Sequence, residues 1–462
     1  MLPRTTPARV GVDSRAVLAL LDRWEAEGLD VHSLMVVRHG QVAVEGWWSP
    51  YAAHLPHHVY SASKTWTACA AGLLVDDGRL RVDERAVDIV RRHAPERLPS
   101  ELDPAVEAIT VHHLLSMSVG HSEDTIDRAW GHPDDLLRGV LSVVPDGALG
   151  SRHVYDNGAT YAVARVVELV AGERLLDLLG PRLFEPMGLR PGRWLADARG
   201  AAYGFFGLHV PTEALASLGQ LLLDGGRWQG RQLLSREWVE LATRRHIPTG
   251  PDPASPDWEQ GYGYQVWMSR HGFRGDGANG QFMIVLPEQE TVIATTAGEE
   301  RMQAILDAVW ECLLPGLGDG VAEDPVGEAE LAARLAGLAI VPVSSRAGGP
   351  SEAWYAVSTS DGALGLGTRV SLRGNGSGWL IRVEDGDWSI EVPAGDGAWS
   401  EPVLVGREPV TASAGWVETG VAEIVICLVE TPHRLLLRCR GESATVAWRT
   451  VPLNGLHLAA HL

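Results

Sequence analysis

The chain has 462 residues, 45% hydrophobic and 21% charged, with a formal charge of −20. That length exceeds one ordinary domain, so two are expected, and the acidity argues against a nucleic-acid partner or an anionic membrane surface, both of which need a basic face. Residues 1–15, M-L-P-R-T-T-P-A-R-V-G-V-D-S-R, lack an apolar core of signal-peptide length, and no later stretch stays apolar long enough to span a bilayer; a cytoplasmic protein with no membrane partner is expected.

The first structured signal is L-M-V-V-R-H-G-Q-V-A-V-E (34–45), two β-rich runs around His39-Gly40 that read as a hairpin. Helical patterns follow at 61–77, ending before Gly78, and at 159–171, ending at Gly172. A third covers T-E-A-L-A-S-L-G-Q-L-L-L-D-G-G, with Thr212 as N-cap and Gly225 after the end. A second β pair, Q-F-M-I-V-L (281–286) and T-V-I-A-T-T (291–296), is joined by P-E-Q-E. Strands at both ends with helices between them predict an α+β domain, one antiparallel sheet carrying helices.

After a helix over E-E-R-M-Q-A-I-L-D-A-V-W-E-C-L-L, the Gly/Pro/acid-rich stretch 315–327 reads as a linker and 328–337 as a short helix. From about 339 onward, short β-rich runs alternate with turns such as D-G, G-N-G-S-G and A-G-D-G, the signature of a small all-β sandwich or barrel. The expected boundaries are 1–314, 315–337 and 338–462. Cys69, Cys312, Cys427 and Cys439 form no CxxC or Cys/His cluster, so no metal or other cofactor is implied. Cys427 and Cys439 flank an expected hairpin centred near His433 and could face each other; two reduced core thiols is the reading that suits a cytosolic protein.

Within Y-S-A-S-K-T-W-T (60–67), Lys64 is the only lysine among 39 lysine-plus-arginine residues. A guanidinium stays protonated at any accessible pH, whereas a buried lysine amine can lose its proton, so only lysine can act as a base. In a helix that begins at Ser61, Ser61 and Lys64 share one face, and the helix N-terminus disfavours the ammonium while favouring negative charge near Ser61. A serine beside a neutral amine is an activated nucleophile. Ser-x-x-Lys also arises by chance, so two further segments bear on it.

H-V-Y-D-N-G-A-T-Y places Tyr155-x-Asn157 before a helix, where a tyrosine can relay a proton and an asparagine can donate to a substrate carbonyl. As an isolated YxN, Asn157 serves equally to turn the chain beside Gly158. R-G-D-G-A-N-G-Q-F-M-I-V-L-P matches G-x-G-x-x-G at 275–280, but an alternating strand follows instead of the helix a dinucleotide site requires. The glycines are better suited to let a ligand lie against a strand edge.

Together these segments resemble the class C β-lactamase-like, penicillin-binding-protein-type serine hydrolases, whose superfamily combines Ser-x-x-Lys with later signatures. I-T-V-H-H-L-L-S-M-S-V-G-H (109–121), A-Y-G-F-F-G-L-H-V-P-T and G-Y-G-Y-Q-V-W are similar to family segments in order and spacing, over residues 10–313. The resemblance implies a β-lactamase/transpeptidase-like domain, with Ser61 as the acylated nucleophile and Lys64 as its proton-transfer partner. It further implies Tyr155 as general acid/base and Asn157 as a substrate-amide contact. The family's third motif, Lys-Thr-Gly or His-x-Gly on a strand, matches Gly275-Asp276-Gly277, which puts the N–H groups of Ala278 and Ser61 in the oxyanion hole. The motif's Lys or His is missing, and with Asp276 in its midst a neutral or cationic substrate is expected rather than a β-lactam.

The tail resembles the lipocalin-like domains that follow the hydrolase domain in D-aminopeptidases and penicillin-binding-type thioesterases. Its tryptophans (354, 379, 388, 399, 416, 448) are expected in the core, with one capping the catalytic cleft as the sharper alternative. The function implied is a serine hydrolase or transacylase. Its substrate would be a small-molecule or peptide ester, thioester or amide, with water, an amine acceptor or a carrier-bound acyl chain as further partner. A thioesterase that releases or cyclises nonribosomal peptides is one alternative, and a non-catalytic ligand-binding homologue is the second.

Overall fold

His39 and Gly40 both adopt left-handed backbone (φ 51° and 71°), the geometry of a two-residue type I′ turn, and they fold Val31–Arg38 onto Gln41–Trp47. The structure, a computed structural model, describes residues 1–132, 135–190, 192–376 and 378–462. Val31–Arg38 also pairs with Thr291–Ala297, which carries Gln281–Leu286, Phe273–Gly277 and Trp267–Met268 beyond it. The result is a six-stranded antiparallel sheet built from both ends of the first domain.

Side-chain alternation along those strands decides the layers. Leu34, Val36, Ile284 and Ile293 pack on Val17, Leu21 and Trp24 of the helix Ser14–Ala26 and on Ile305, Val309 and Leu313. Met35, Val37, Met283 and Val292 face the opposite layer, which holds the helices Ser63–Asp76, Asn157–Ala171 and Thr212–Leu223. This is the expected α+β arrangement. Thr212, expected as an N-cap, is instead the first helical residue after Pro211. Its Oγ1 hydrogen-bonds Ser33 Oγ at 2.8 Å, so a contact with the sheet takes the hydroxyl away from the helix end. The helix expected at 328–337 runs over Pro325–Ala336, capped by Asp324 with proline at its first position. Its Leu331 is buried against the first domain's outer layer, so this stretch packs on the sheet.

The C-terminal domain is a closed eight-stranded barrel. Glu352–Ser360, Arg369–Gly374, Gly378–Asp385 and Trp388–Gly395 form one antiparallel meander. Glu408–Glu418, Val421–Leu428, Arg434–Arg440 and Ser443–Trp448 form a second. Parallel pairing joins the meanders at both seams, Glu352–Ser360 with Ser443–Trp448 and Gly395 with Ser413, because the chain crosses the barrel's length between Gly395 and Glu408. Closure leaves these strands without the free edges that invite aggregation. All four cysteines are free, and the register sets Cys427 beside Arg434 and Cys439 beside Ala422, so the two do not face each other. Trp416 and Trp448 are buried in the barrel, Trp379 and Trp388 pack at its rim, and Trp354 is exposed beneath Arg369. Among the described residues no helix is long and apolar enough to cross a membrane, and no group of three His, Cys, Asp or Glu side chains is placed to hold a metal.

The barrel docks through its 428–434 turn. Arg434 pairs with Asp30, both side chains 6% exposed. Tyr51 Oη donates to Thr431 O at 3.2 Å, His58 N to Glu430 O at 2.7 Å and Thr450 Oγ1 to Gly298 O at 2.7 Å. Burial pushes the Asp30 carboxyl up, but His32, Arg434 and Arg449 outweigh it and hold the group down to about 2. The same contact region buries His57, His58, His209 and His433, and burial lowers each of them, His209 and His433 to about 3.

Two outcomes follow from this interface. Asp30→Asn, nearly isosteric, leaves Arg434 buried and unpaired, and is expected to destabilise the protein by about 3–5 kcal/mol, read as a lower urea midpoint by tryptophan fluorescence; an unchanged midpoint would contradict the pairing. The depressed histidines contribute stability that is complete above their unfolded value of about 6.5 and lost as pH falls toward their folded values. Thermal melting at pH 5 should therefore occur below that at pH 7.5, and replacing His209 and His433 with glutamine should narrow the gap.

Candidate active site

A 3-10 turn, Tyr60–Ala62, feeds directly into the helix Ser63–Asp76, so Ser61 stands in the turn rather than opening the helix as expected. Tyr60 forces this geometry with a left-handed φ of 45°, a conformation that costs a bulky residue about 1–3 kcal/mol. Ser63 faces inward, its buried hydroxyl donating to Tyr60 O and accepting from Leu208 N. The two serines of the motif are thus separated: Ser63 braces the turn, and Ser61 is presented to the lysine.

Lys64 is 1% exposed. Its Nζ donates to Ser61 Oγ at 2.9 Å, to Asn157 Oδ1 at 2.7 Å and to Phe205 O at 2.9 Å. Three acceptors fit the three hydrogens of an ammonium; in the neutral amine the lone pair can turn to Ser61 and accept the hydroxyl proton. Burial lowers this amine to about 7, against the opposing pull of Asp124, Asp276 and Asp156.

Tyr155 also reaches the serine. Burial raises the pKa of the tyrosine hydroxyl and outweighs the opposing influence of the neighbouring Ser61 side chain, so Tyr155 is protonated at neutral pH. Its ring lies 4.7 Å from Lys64 Nζ and stacks on Trp267 with centroids 5.6 Å apart. Asn157 opens the helix Asn157–Ala171, which Asp156 caps. Its carbonyl faces Lys64, while its side-chain amide donates to Asp124 Oδ2 at 2.5 Å and its backbone N–H to Asp124 Oδ1 at 2.9 Å. Asn157 therefore holds Lys64 and is itself held by Asp124.

Asp124 has no counterpart in the sequence reading. It comes from an irregular segment with no periodicity to mark it, and burial raises its pKa. Beside it, burial pushes Asp156 up, but hydrogen bonds from His121 and Thr125 outweigh this and hold it low. Asp156 was readable, since an Asp directly before a helix is a favoured N-cap; the His121 and Thr125 contacts to it were not.

The third motif occupies the strand Phe273–Gly277, which packs on the Ser61 turn. A Cβ on Gly277 would lie 2.1 Å from Val59 O, and one on Gly275 would lie 2.9 Å from Thr65 Oγ1. These glycines serve the approach of strand to turn, where the sequence suggested the approach of a ligand. Ala278 follows Gly277 and is partly exposed beside that turn. Asp276 points to the other side of the strand and is paired with Arg274 at 2.9 Å. Arg274 is 0% exposed; it also donates to Asp257 O and Ser269 Oγ and lies 4.3 Å from the Trp258 ring. The acid expected as a lone anion is half of an ion pair, and its arginine faces away from solvent. The tryptophans next to these groups are Trp258 and Trp267 of the first domain, rather than one from the barrel. A separate cavity of about 710 Å³ opens at the junction with the barrel, walled by Tyr60, Trp194, Tyr203, Phe206, His433 and His461; Ser61 and Lys64 do not line it.

The family model described as Beta-lactamase matches residues 21–302. The 6-aminohexanoate-dimer hydrolase of Paenarthrobacter ureafaciens is 26% identical over 285 residues, which cover 56% of this chain and 71% of that protein. Penicillin-binding protein 4 of Amycolatopsis lactamdurans is 26% identical over 275 residues, covering 51% and 70%. Among solved structures, that of EstCE1, a hydrolase with promiscuous acyltransferase activity, is similar with a TM-score of 0.51 at 18% identity, covering 64% of this chain and 97% of that one.

A single lysine makes its titration directly observable. With ¹⁵Nζ-lysine labelling, the one side-chain signal should titrate near pH 7 rather than near its ordinary value. Because Asp124 raises the Lys64 pKa, Asp124→Asn should shift that titration to lower pH; an unchanged or higher midpoint would show that the carboxylate does not act on the amine.

Proposed function

The chain belongs to the beta-lactamase family, and on that premise we propose that it is a serine acyl-enzyme hydrolase or acyltransferase acting on an ester, thioester or amide carbonyl. The observation that carries this reading is the Lys64 amine, 2.9 Å from Ser61 Oγ and lowered by burial to about 7. Near neutral pH a substantial fraction of the enzyme holds that amine uncharged, and a base is most effective with its pKa near the working pH.

Lys64 Nζ accepts the Ser61 hydroxyl proton as Oγ attacks the carbonyl carbon. The resulting oxyanion is held by the N–H groups of Ser61 and Ala278, an assignment supported by the close seating of Gly277 on the Ser61 turn. When the tetrahedral intermediate collapses, Tyr155 gives its proton to the departing alcohol, thiol or amine, and the Lys64 ammonium restores it. Water or an amine then attacks the acyl-enzyme, losing its proton to the same pair, and Ser61 recovers its own. Asn157 keeps the Lys64 amine aimed at Ser61 throughout.

Substrate charge is narrowed by the third motif. Arg274 is paired with Asp276 and donates to the carbonyls of Asp257 and Met268, so among the described residues it does not stand as a free cation where the family's Lys or His would meet a carboxylate. This favours a substrate with no anionic group there. The sequence relative named for hydrolysis of a 6-aminohexanoate dimer favours a bond between amino-acid units.

Incubation with a p-nitrophenyl phosphonate should release one equivalent of nitrophenol and leave the mass adduct on the peptide containing Ser61. Lys64→Arg keeps the charge but removes the base, and turnover of a p-nitrophenyl ester should fall by about 10²–10⁴-fold. In the wild type, kcat/KM should rise with pH through an apparent pKa near 7. Full turnover in Lys64→Arg, or an adduct elsewhere, overturns the proposal.

A further inference from the structure

We infer that His433, on the barrel, is a positioning residue for Ser61 that acts through Tyr60. The inference rests on the reading of Ser61 as nucleophile and assigns the barrel a part in the reaction. Tyr60 directly precedes Ser61, is 3% exposed and holds a left-handed φ of 45°. A non-glycine residue keeps such a backbone only where its surroundings over-determine it.

Those surroundings come from both domains. The first domain supplies the His58 ring, 4.1 Å from the Tyr60 ring, and the Ser63 hydroxyl on the Tyr60 carbonyl. The barrel domain holds the phenol itself: Tyr60 Oη lies 2.7 Å from His433 Nε2. The direction of the first bond is fixed. His433 Nδ1 lies 2.9 Å from Thr450 O; a carbonyl only accepts, so Nδ1 carries the ring proton and Nε2 is the bare acceptor for the Tyr60 hydroxyl. The His433 ring in turn packs in a cluster with Trp448 and His461, 6.0 Å and 5.8 Å away between ring centroids. A chain from Thr450 O through His433 to Tyr60 thus ends one residue from the nucleophile, across 373 positions of sequence. Rotation of the 60–61 peptide would move Ser61 Oγ relative to Lys64 and turn the Ser61 N–H away from the oxyanion.

The test uses the full-length protein. Wild type, His433→Phe, Tyr60→Phe, the double variant and His433→Gln are compared for the rate of phosphonate labelling at Ser61, for kcat and KM on a p-nitrophenyl ester, and for melting temperature. His433→Phe and Tyr60→Phe should lower kcat and the labelling rate by about 10- to 100-fold, as misplacement of a reacting group does, with KM little changed. The double variant should be no slower than either single one, because both remove the same bond. His433→Gln, whose amide oxygen can stand near the Nε2 position, should restore much of the rate. If the wild type itself is not labelled at Ser61, the nucleophile reading fails. If the wild type is labelled and the variants react at its rate, the role of His433 fails. A loss of rate that merely follows melting temperature, with no rescue by glutamine, also overturns it.

Discussion

A lysine amine buried against a serine hydroxyl is the constraint to which the rest of this structure answers. Taking an ammonium out of water is so unfavourable that the group either finds close acceptors or gives up its proton, and Lys64 stands between the two. Asn157 and the Phe205 carbonyl complete its hydrogen bonds, which ties the helix Asn157–Ala171 and the segment before Leu208 to the base of the helix Ser63–Asp76. Burial alone would drive the amine lower still; Asp124, Asp276 and Asp156 draw it back to about 7. The reactive state is therefore a balance between desolvation and the pull of nearby carboxylates, with desolvation the larger.

The surroundings of Ser61 follow from the same need for close approach. Glycine at 275 and 277 lets a β-strand lie on the turn that carries the nucleophile, and the left-handed Tyr60 backbone shapes the turn from which Ser61 meets Lys64. Arg274, with no exposure, fastens the far side of that strand to Asp257 O and Ser269 Oγ while neutralising Asp276. Rigid packing behind the site and glycine in front of it are complementary. The side chains behind fix the strand, and their absence in front lets it reach the serine.

Local regularities made part of this legible in the sequence. The i, i+3 spacing of Ser61 and Lys64 survived the shift of Ser61 into a 3-10 turn, because such a turn still places those side chains together. His39-Gly40 declared its hairpin through turn chemistry. Arg274 and Asp276, two apart on a strand, share a face by parity alone, so their pairing was within reach of the sequence, and reading Asp276 as a free acid missed it. Thr212 failed as a cap because Ser33, far off in the chain, competes for its hydroxyl. Asp124 and His433 carried no local signal. One lies in an irregular loop, and the other meets Tyr60 only once an entire barrel has closed and docked.

The same physics produces both the base and the interface beside it, and the difference lies in the neighbours. His57, His58, His209 and His433 are bases stripped of water as Lys64 is, but the groups acting on them are other histidines, Arg193, His461 and backbone carbonyls. With no carboxylate among the main groups acting on them within the described residues, they stay neutral and serve as fixed donors and acceptors, His433 with one ring nitrogen for Thr450 and the other for Tyr60. Lys64 has three carboxylates close enough to return its titration to the neutral range. A buried base becomes a structural hydrogen-bonding group or a proton-transfer group according to the acids that share its burial, and this molecule places one of each on either side of the 60–61 peptide.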